Sequence, residues 1–451
     1  MRRLPPALAP AALALAAGLL VVPPAAAAPS APAVDRADQS ALPADRAGQA
    51  VLGRTAARRA AGAGRAIAYD AWDGYADWHT GTKTGLRVIK GDLRPGTGMV
   101  ARTLGGRAYQ QGSWTSAWVT PGFGLTELIP SWSASTPGDS WLEVRVRGAD
   151  ASGRVSSWDL MGRWASGDAT VKRSTSSGQS DDLGTANVDT WQASGTAATA
   201  GLTRYQVRVT LARRAGSKLL PTLDTVGAVA SRLPEGRVTA SRPGAASAAG
   251  TVLDVPRYSQ MTHRGHYPQW GNGGQAWCSP TSTSMVLGYY RSLPGRAEYP
   301  WVPRDHAHPW VDFAARATYD HDYGGTGNWA FNTAYAAPRA GKAFVTRLRS
   351  LREAELLVAA GIPLVASISF ASGQLSGAPI SASNGHLLVI VGFTRSGDVV
   401  VNDPAGANSQ GVRRTYDRAQ FENAWLPTSG GTVYVIRDGK HPLPASPGGN
   451  W

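Results

Sequence analysis

The chain contains one cysteine, Cys278, and it opens the run WCSPTSTSMVLGYY at 277–290. Pro280 is a residue favoured in the first turn of a helix. Met285, Val286 and Tyr289 follow at the spacing of one apolar helical face. Cys278 is therefore expected at a helix N-terminus, where the positive end of the helix favours a thiolate. A thiolate is the form of cysteine that attacks a carbonyl carbon. The plain alternative is a small buried apolar residue. In an exported chain, however, a lone thiol is open to oxidation and mispairing, which flags it for reactivity.

His386 follows Cys278 by 108 positions and Asp403 follows His386 by 17. His386 opens the apolar run of NGHLLVIVGFTRSGDVVVNDPAG at 384–406, which reads as two strands joined by a turn near Arg395–Asp398. A histidine accepts the thiol proton and later protonates the leaving group. A carboxylate or amide then fixes its tautomer and orientation. A plain two-residue hairpin register does not set Asp403 opposite His386, so strand twist or a bulge has to bring them together. Asn402, one residue closer, is the rival for the orienting role. A nucleophile, a base and an orienter in this order point to a cysteine hydrolase acting on a carbonyl group.

These residues need elements to hold them. The 451 residues, with 53 Gly, 30 Pro and 43% apolar content, suit two or three β-rich domains rather than a helical rod. Residues 1–28 read as a signal peptide: Arg2 and Arg3, an apolar run from about Leu8 to Val22, then small residues at Ala25–Ala28. Residues 29–64 are rich in Ala, Arg and Pro, lack aromatics, and read as a disordered segment. In 65–235, WLEVRVR (141–147) and YQVRVTL (205–211) alternate apolar with polar residues, the pattern of sheets with one wet face. This stretch is expected to form an all-β sandwich or jelly roll. It holds nine of the sixteen Trp. Those Trp fit a packed β-core, and any that are exposed could stack on wall polymer. SSWDLMGRW (156–164) reads as one hairpin or corner. Residues 236–250 are small and read as a flexible linker. A second domain is expected over 251–438, with 439–451 a flexible tail.

Residues 252–437 resemble the bacteriocin-processing (double-glycine leader) peptidase-like family, cysteine peptidase family thirty-nine of the papain-like clan. The motifs that carry the resemblance are VPRYSQ (255–260), WCSPTS, GHLLVIVGF and VVVNDPAG. It implies a papain-like α+β fold, a nucleophile helix on an antiparallel sheet. It also implies Cys278 as nucleophile, His386 as base and Asp403 as orienter. A glutamine usually completes the oxyanion hole in this clan, and the VPRYSQ opening points to Gln260 rather than Gln275, which lies only three residues before Cys278. Ser279 stands where the family usually has Gly. An aromatic, Gly-rich insertion separates Gln260 from Cys278, and no Walker motif or membrane domain accompanies the peptidase-like part, which argues against leader-peptide export.

His263, His266, His306, His308 and His321 share one stretch with Asp305, Asp312, Asp320 and Asp322, but without HExxH or CxxC spacing. No metal and no cofactor are expected there. The net charge of +14 is spread without a basic stripe, which argues against nucleic acid and fits weak attraction to anionic wall polymers. The expected protein is a monomer that is secreted, extracellular and cell-wall associated, with no membrane span after signal cleavage and a peptide or protein substrate. The leading reading is a cysteine peptidase or amide hydrolase working through an acyl-enzyme. An acyltransferase with the same residues is the second. A wall-binding protein with a degenerate papain-like part is the third.

Overall fold

The structure, a computed structural model, describes residues 64–180 and 183–451. The expected signal peptide and nearly all of the Ala/Arg/Pro-rich segment lie outside the described residues. The described chain is more strand than helix, and its three main sheets are antiparallel.

The N-terminal module consists of two sheets over one core. One is built around Glu127–Ser135 and Thr222–Arg232, the other around Arg107–Thr115, Arg204–Arg214 and Trp141–Ala149. The two alternating runs in the sequence pair with each other, Val144 opposite Val209 and Val146 opposite Val207, and these four side chains are fully buried. Of the nine Trp, seven (Trp72, Trp78, Trp114, Trp132, Trp141, Trp164 and Trp191) are buried. Trp118 and Trp158 are half-buried, and arginines cover their faces. Arg147 lies over both, Arg204 over Trp118 and Arg208 over Trp158 at 4.1 Å. Glu143, which alternation assigns to the wet face, is buried, and its carboxylate accepts from Arg102 and Arg163.

The second module packs helices on both faces of a six-stranded sheet. In chain order its elements are α1 (Cys278–Tyr289), α2 (Trp310–Thr318), α3 (Trp329–Ala340), β1 (Lys342–Arg347), α4 (Leu351–Ala359), β2 (Leu364–Phe370), β3 (Ser383–Phe393), β4 (Val399–Asn402), β5 (Arg413–Tyr416), α5 (Arg418–Trp425) and β6 (Thr432–Arg437). The strand order is β1-β6-β2-β3-β4-β5. Met285 and Val286 of α1 share a core with Leu387 and Val389 of β3, while Leu388 and Ile390 face Leu357, Phe421 and Trp425 of α4 and α5. The expected one-sided apolar face of α1 is not what forms. Ten of its twelve residues are buried, serines and threonines included. Ser282 donates to the Leu387 carbonyl at 3.1 Å and Thr283 to Asn332, whereas the hydroxyls of Thr281 and Ser284 are buried with no hydrogen-bond partner among the described residues.

Two expectations from composition are corrected. Residues 236–250 are not a loose linker. Glu422 and Glu355, both buried, accept backbone N–H groups of Ser241, Gly244 and Ala245, and Arg418 donates to the Ser241 carbonyl. The C-terminal stretch is not a free tail. The buried Asn450 side chain donates to the Arg347 carbonyl and to Glu353, and the Gly449 carbonyl accepts the N–H of Tyr69 in the first module. The first module is also tied to the second. Phe331 of α3 packs against Trp132 and Trp164, and the buried Arg347 of β1 pairs with buried Glu127. Composition conceals these ties, because single side chains and backbone groups far apart in sequence make them.

Candidate active site

His386 lies near the start of β3 and Asp403 immediately after β4. At the turn end of this hairpin the register pairs Phe393 with Val399 and Gly392 with Val400. A bulge at Val391 then shifts it, so that Ile390 pairs with Val401 and Val389 with Asn402. Without the bulge Asp403 would stand opposite Val389, on the other face of the sheet from His386. With it, Asp403 falls opposite Leu388, on the face shared by residues 386 and 388, and reaches His386 along the diagonal. The core clusters agree: Leu388, Val401 and Tyr416 belong to one, Val389 to the other. Gly392 permits this arrangement because a Cβ there would meet the Thr251 carbonyl oxygen at 2.2 Å, where the 249–252 segment crosses the strand.

The outcome is a buried hydrogen-bond chain. His386 Nε2 and Asp403 Oδ1 are 2.7 Å apart, and Asp403 Oδ1 also accepts the Ala405 N–H at 2.9 Å. Tyr416 Oη donates to Asp403 Oδ2 at 2.7 Å. With Nε2 spent on Asp403, Nδ1 is the nitrogen left for the Cys278 thiol, with which His386 also hydrogen-bonds. Cys278 is the first residue of α1 and is 2% exposed. Burial opposes a charge on His386, but Asp403 and then Cys278 outweigh it and raise the imidazole to about 10. For Asp403, burial pushes upward, but His386, Tyr416 and the Ala405 N–H together hold it below its ordinary value.

Asn402 does not meet His386. Its Nδ2 donates to the carbonyls of Val255 and Pro256, and its Oδ1 accepts from Arg413. The two glutamines also separate. Gln260 is 5% exposed. Its N–H donates to the Pro404 carbonyl, its Nε2 donates to the Gln275 carbonyl at 2.5 Å, and its Oε1 is buried with no hydrogen-bond partner. The Gln275 side chain is used inside the insertion, on Gly265 N–H and the Asn272 carbonyl. Ser279 bonds Tyr434 Oη at 2.9 Å, so the larger residue at this position is built into the core.

Sequence reasoning missed Tyr416 and Tyr434. Tyr416 closes the short polar run RRTY and Tyr434 lies inside TVYVIR, and nothing local distinguishes either. Of the histidine-rich stretch, His263, His266 and His306 gather on Asp312, whereas Asp320 accepts from Thr175 of the first module and His308 packs on Tyr258.

Two family models match the chain. Residues 68–231 match the model described as Peptidase C39 N-terminal domain, and residues 252–433 match the Peptidase_C39 like family. No curated protein matches. The hairpin that brings His386 to Asp403, the helix that starts at Cys278 and both family matches agree, and the chain carries a segment of the C39 cysteine-peptidase-like family behind that family's N-terminal domain.

Proposed function

We propose that this protein is a secreted cysteine peptidase that hydrolyses extracellular peptide bonds through Cys278, His386 and Asp403, within a papain-like arrangement of helix and sheet. One observation carries this reading: a single buried imidazole bonds Asp403 on one side and the thiol at a helix start on the other. The Cys278 sulfur attacks the scissile carbonyl carbon. Negative charge builds on the carbonyl oxygen, which the Cys278 backbone N–H and the second N–H of Gln260 Nε2 stabilise. His386 passes its proton to the leaving amine as the C–N bond breaks, and a thioester remains. Water then attacks the thioester, giving one proton to His386, and the carboxylic acid leaves as the sulfur is released. Asp403 holds the ring, and Tyr416 holds Asp403.

Export is supported by the signal-like segment at 1–28. Among the described residues no helix is long and apolar enough to cross a membrane. Contact with anionic wall polymer would run through the edges of Arg147, Arg204 and Arg208, since these arginines already cover the Trp118 and Trp158 faces.

The test is incubation of the purified protein and its Cys278→Ser variant with a diverse peptide mixture, read by mass spectrometry with and without an added amine. New N-termini from the wild type alone support the peptidase. Products carrying the amine in place of water would move the reading to an acyltransferase. Identical spectra from both proteins would overturn it.

A further inference from the structure

The insertion between Gln260 and Cys278 carries a second constellation that plays no part in the peptidase chemistry. His263 ends the 3₁₀ turn Gln260–His263, His266 follows in the loop, and Asp312 lies in the first turn of α2. His263 Nδ1 is 3.0 Å from Asp312 Oδ2, and His266 Nδ1 is 2.9 Å from Asp312 Oδ1. His306 Nδ1 approaches the same Oδ1 at 3.3 Å. Ligand atoms of His263, His266 and Asp312 all lie within 4.8 Å of one another.

We propose that His263, His266 and Asp312 bind one zinc ion or a similar transition-metal dication, with His306 stacked on His266 at 3.7 Å beside them. Three observations support this. The first is spacing. A tetrahedral zinc with ligands at about 2.0–2.1 Å requires neighbouring ligand atoms about 3.3 Å apart, and the histidine-to-carboxylate separations here, 2.9 and 3.0 Å, need to open by only a few tenths of an ångström to admit it. The second is orientation. The rings of His263 and His266 stand at 87° with centroids 5.3 Å apart, the splay of two imidazoles converging on one point rather than a stack. The third is charge. Asp312 is fully buried, and the ion pairs it makes among the described residues are all with histidines. A buried carboxylate needs a compensating positive charge. A dication supplies it while leaving the imidazoles neutral, the form in which they ligate. His306 Nδ1 is buried and makes no hydrogen bond, although it is turned toward this oxygen.

Such a centre clasps the insertion to α2. His263 also packs on Trp277, the residue before Cys278, at 6.1 Å between centroids. The site would therefore stiffen one approach to the thiol without touching the reaction.

The experiment uses the full chain carrying Cys278→Ser, so that the reactive thiol cannot hold the metal. The protein is stripped with a chelator, titrated with zinc sulfate by calorimetry, and its metal content is read after desalting. One equivalent of zinc per chain is expected, together with a rise in melting temperature on zinc addition. His266→Ala, at a partly exposed position, is expected to bind at least about 100-fold more weakly, and Asp312→Asn to retain no metal. Should Asp312→Asn fail to fold, His266→Ala carries the test. Less than a tenth of an equivalent bound with no thermal shift would overturn the proposal, and so would unchanged affinity in His266→Ala. Loss of zinc binding would leave the peptidase reading intact, because Cys278, His386 and Asp403 are not involved.

Discussion

At the scale of single residues, the account rests on how Asp403 acts on His386. The raised imidazole stays protonated through neutral pH, so its contribution to stability is complete below about 6.5, the ordinary histidine value, and fades as pH rises through about 10. The lowered Asp403 contributes above about 3.9, and that contribution is lost as pH falls through its folded value. The pH profile of kcat/KM should therefore stay level from about pH 7 to 9 and fall on an alkaline limb near 10. Asp403→Asn keeps an acceptor for the ring but removes the charge. It should lower kcat/KM by roughly 100-fold or more and move the alkaline limb down by at least about one unit, a displacement that a purely structural role would not produce. Tyr416→Phe strips one donor from a buried carboxylate, and urea titration should show a loss of about 1–3 kcal/mol.

At the scale of elements, the β3–β4 hairpin decides which acid residue meets the histidine. The need for a twist or bulge was legible in the sequence, because a plain two-residue hairpin does not set Asp403 directly opposite His386. The location of the bulge was not legible. It follows from the 249–252 segment crossing Gly392, a long-range contact with no local signal. Gly392→Val should clash with the Thr251 carbonyl, cost about 1–3 kcal/mol and reduce activity by distorting the hairpin. Unchanged stability and activity in that variant would show that the crossing does not hold the register. The helix start at Cys278 was legible from Pro280 and the apolar spacing. The near-complete burial of α1 was not, since nothing local shows that Ser279 meets Tyr434 or that Ser282 meets the Leu387 carbonyl.

At the scale of the whole molecule, the two modules form a joint core rather than an enzyme with a detachable appendage. The strands of the first module could be read directly from WLEVRVR and YQVRVTL. Its attachment could not, because it depends on Phe331, Arg347 and Glu127, which look ordinary in sequence. Calorimetry of the full chain should therefore show one cooperative unfolding transition. Phe331→Ala should destabilise that transition by about 3–5 kcal/mol, although the residue lies outside the hydrogen-bond chain of the site. Two separate transitions, with only one of them sensitive to Phe331, would contradict a shared core.

The most direct test of the central claim is the rate at which iodoacetamide alkylates Cys278 at about pH 6, in the wild type and in His386→Ala. If His386 accepts the Cys278 proton, the sulfur attacks faster with the imidazole in place than without it. The wild type should label rapidly, and His386→Ala at least about ten times more slowly at the same pH. Equal rates in the two proteins would mean that His386 does not activate Cys278, and the cysteine peptidase reading would fall with it.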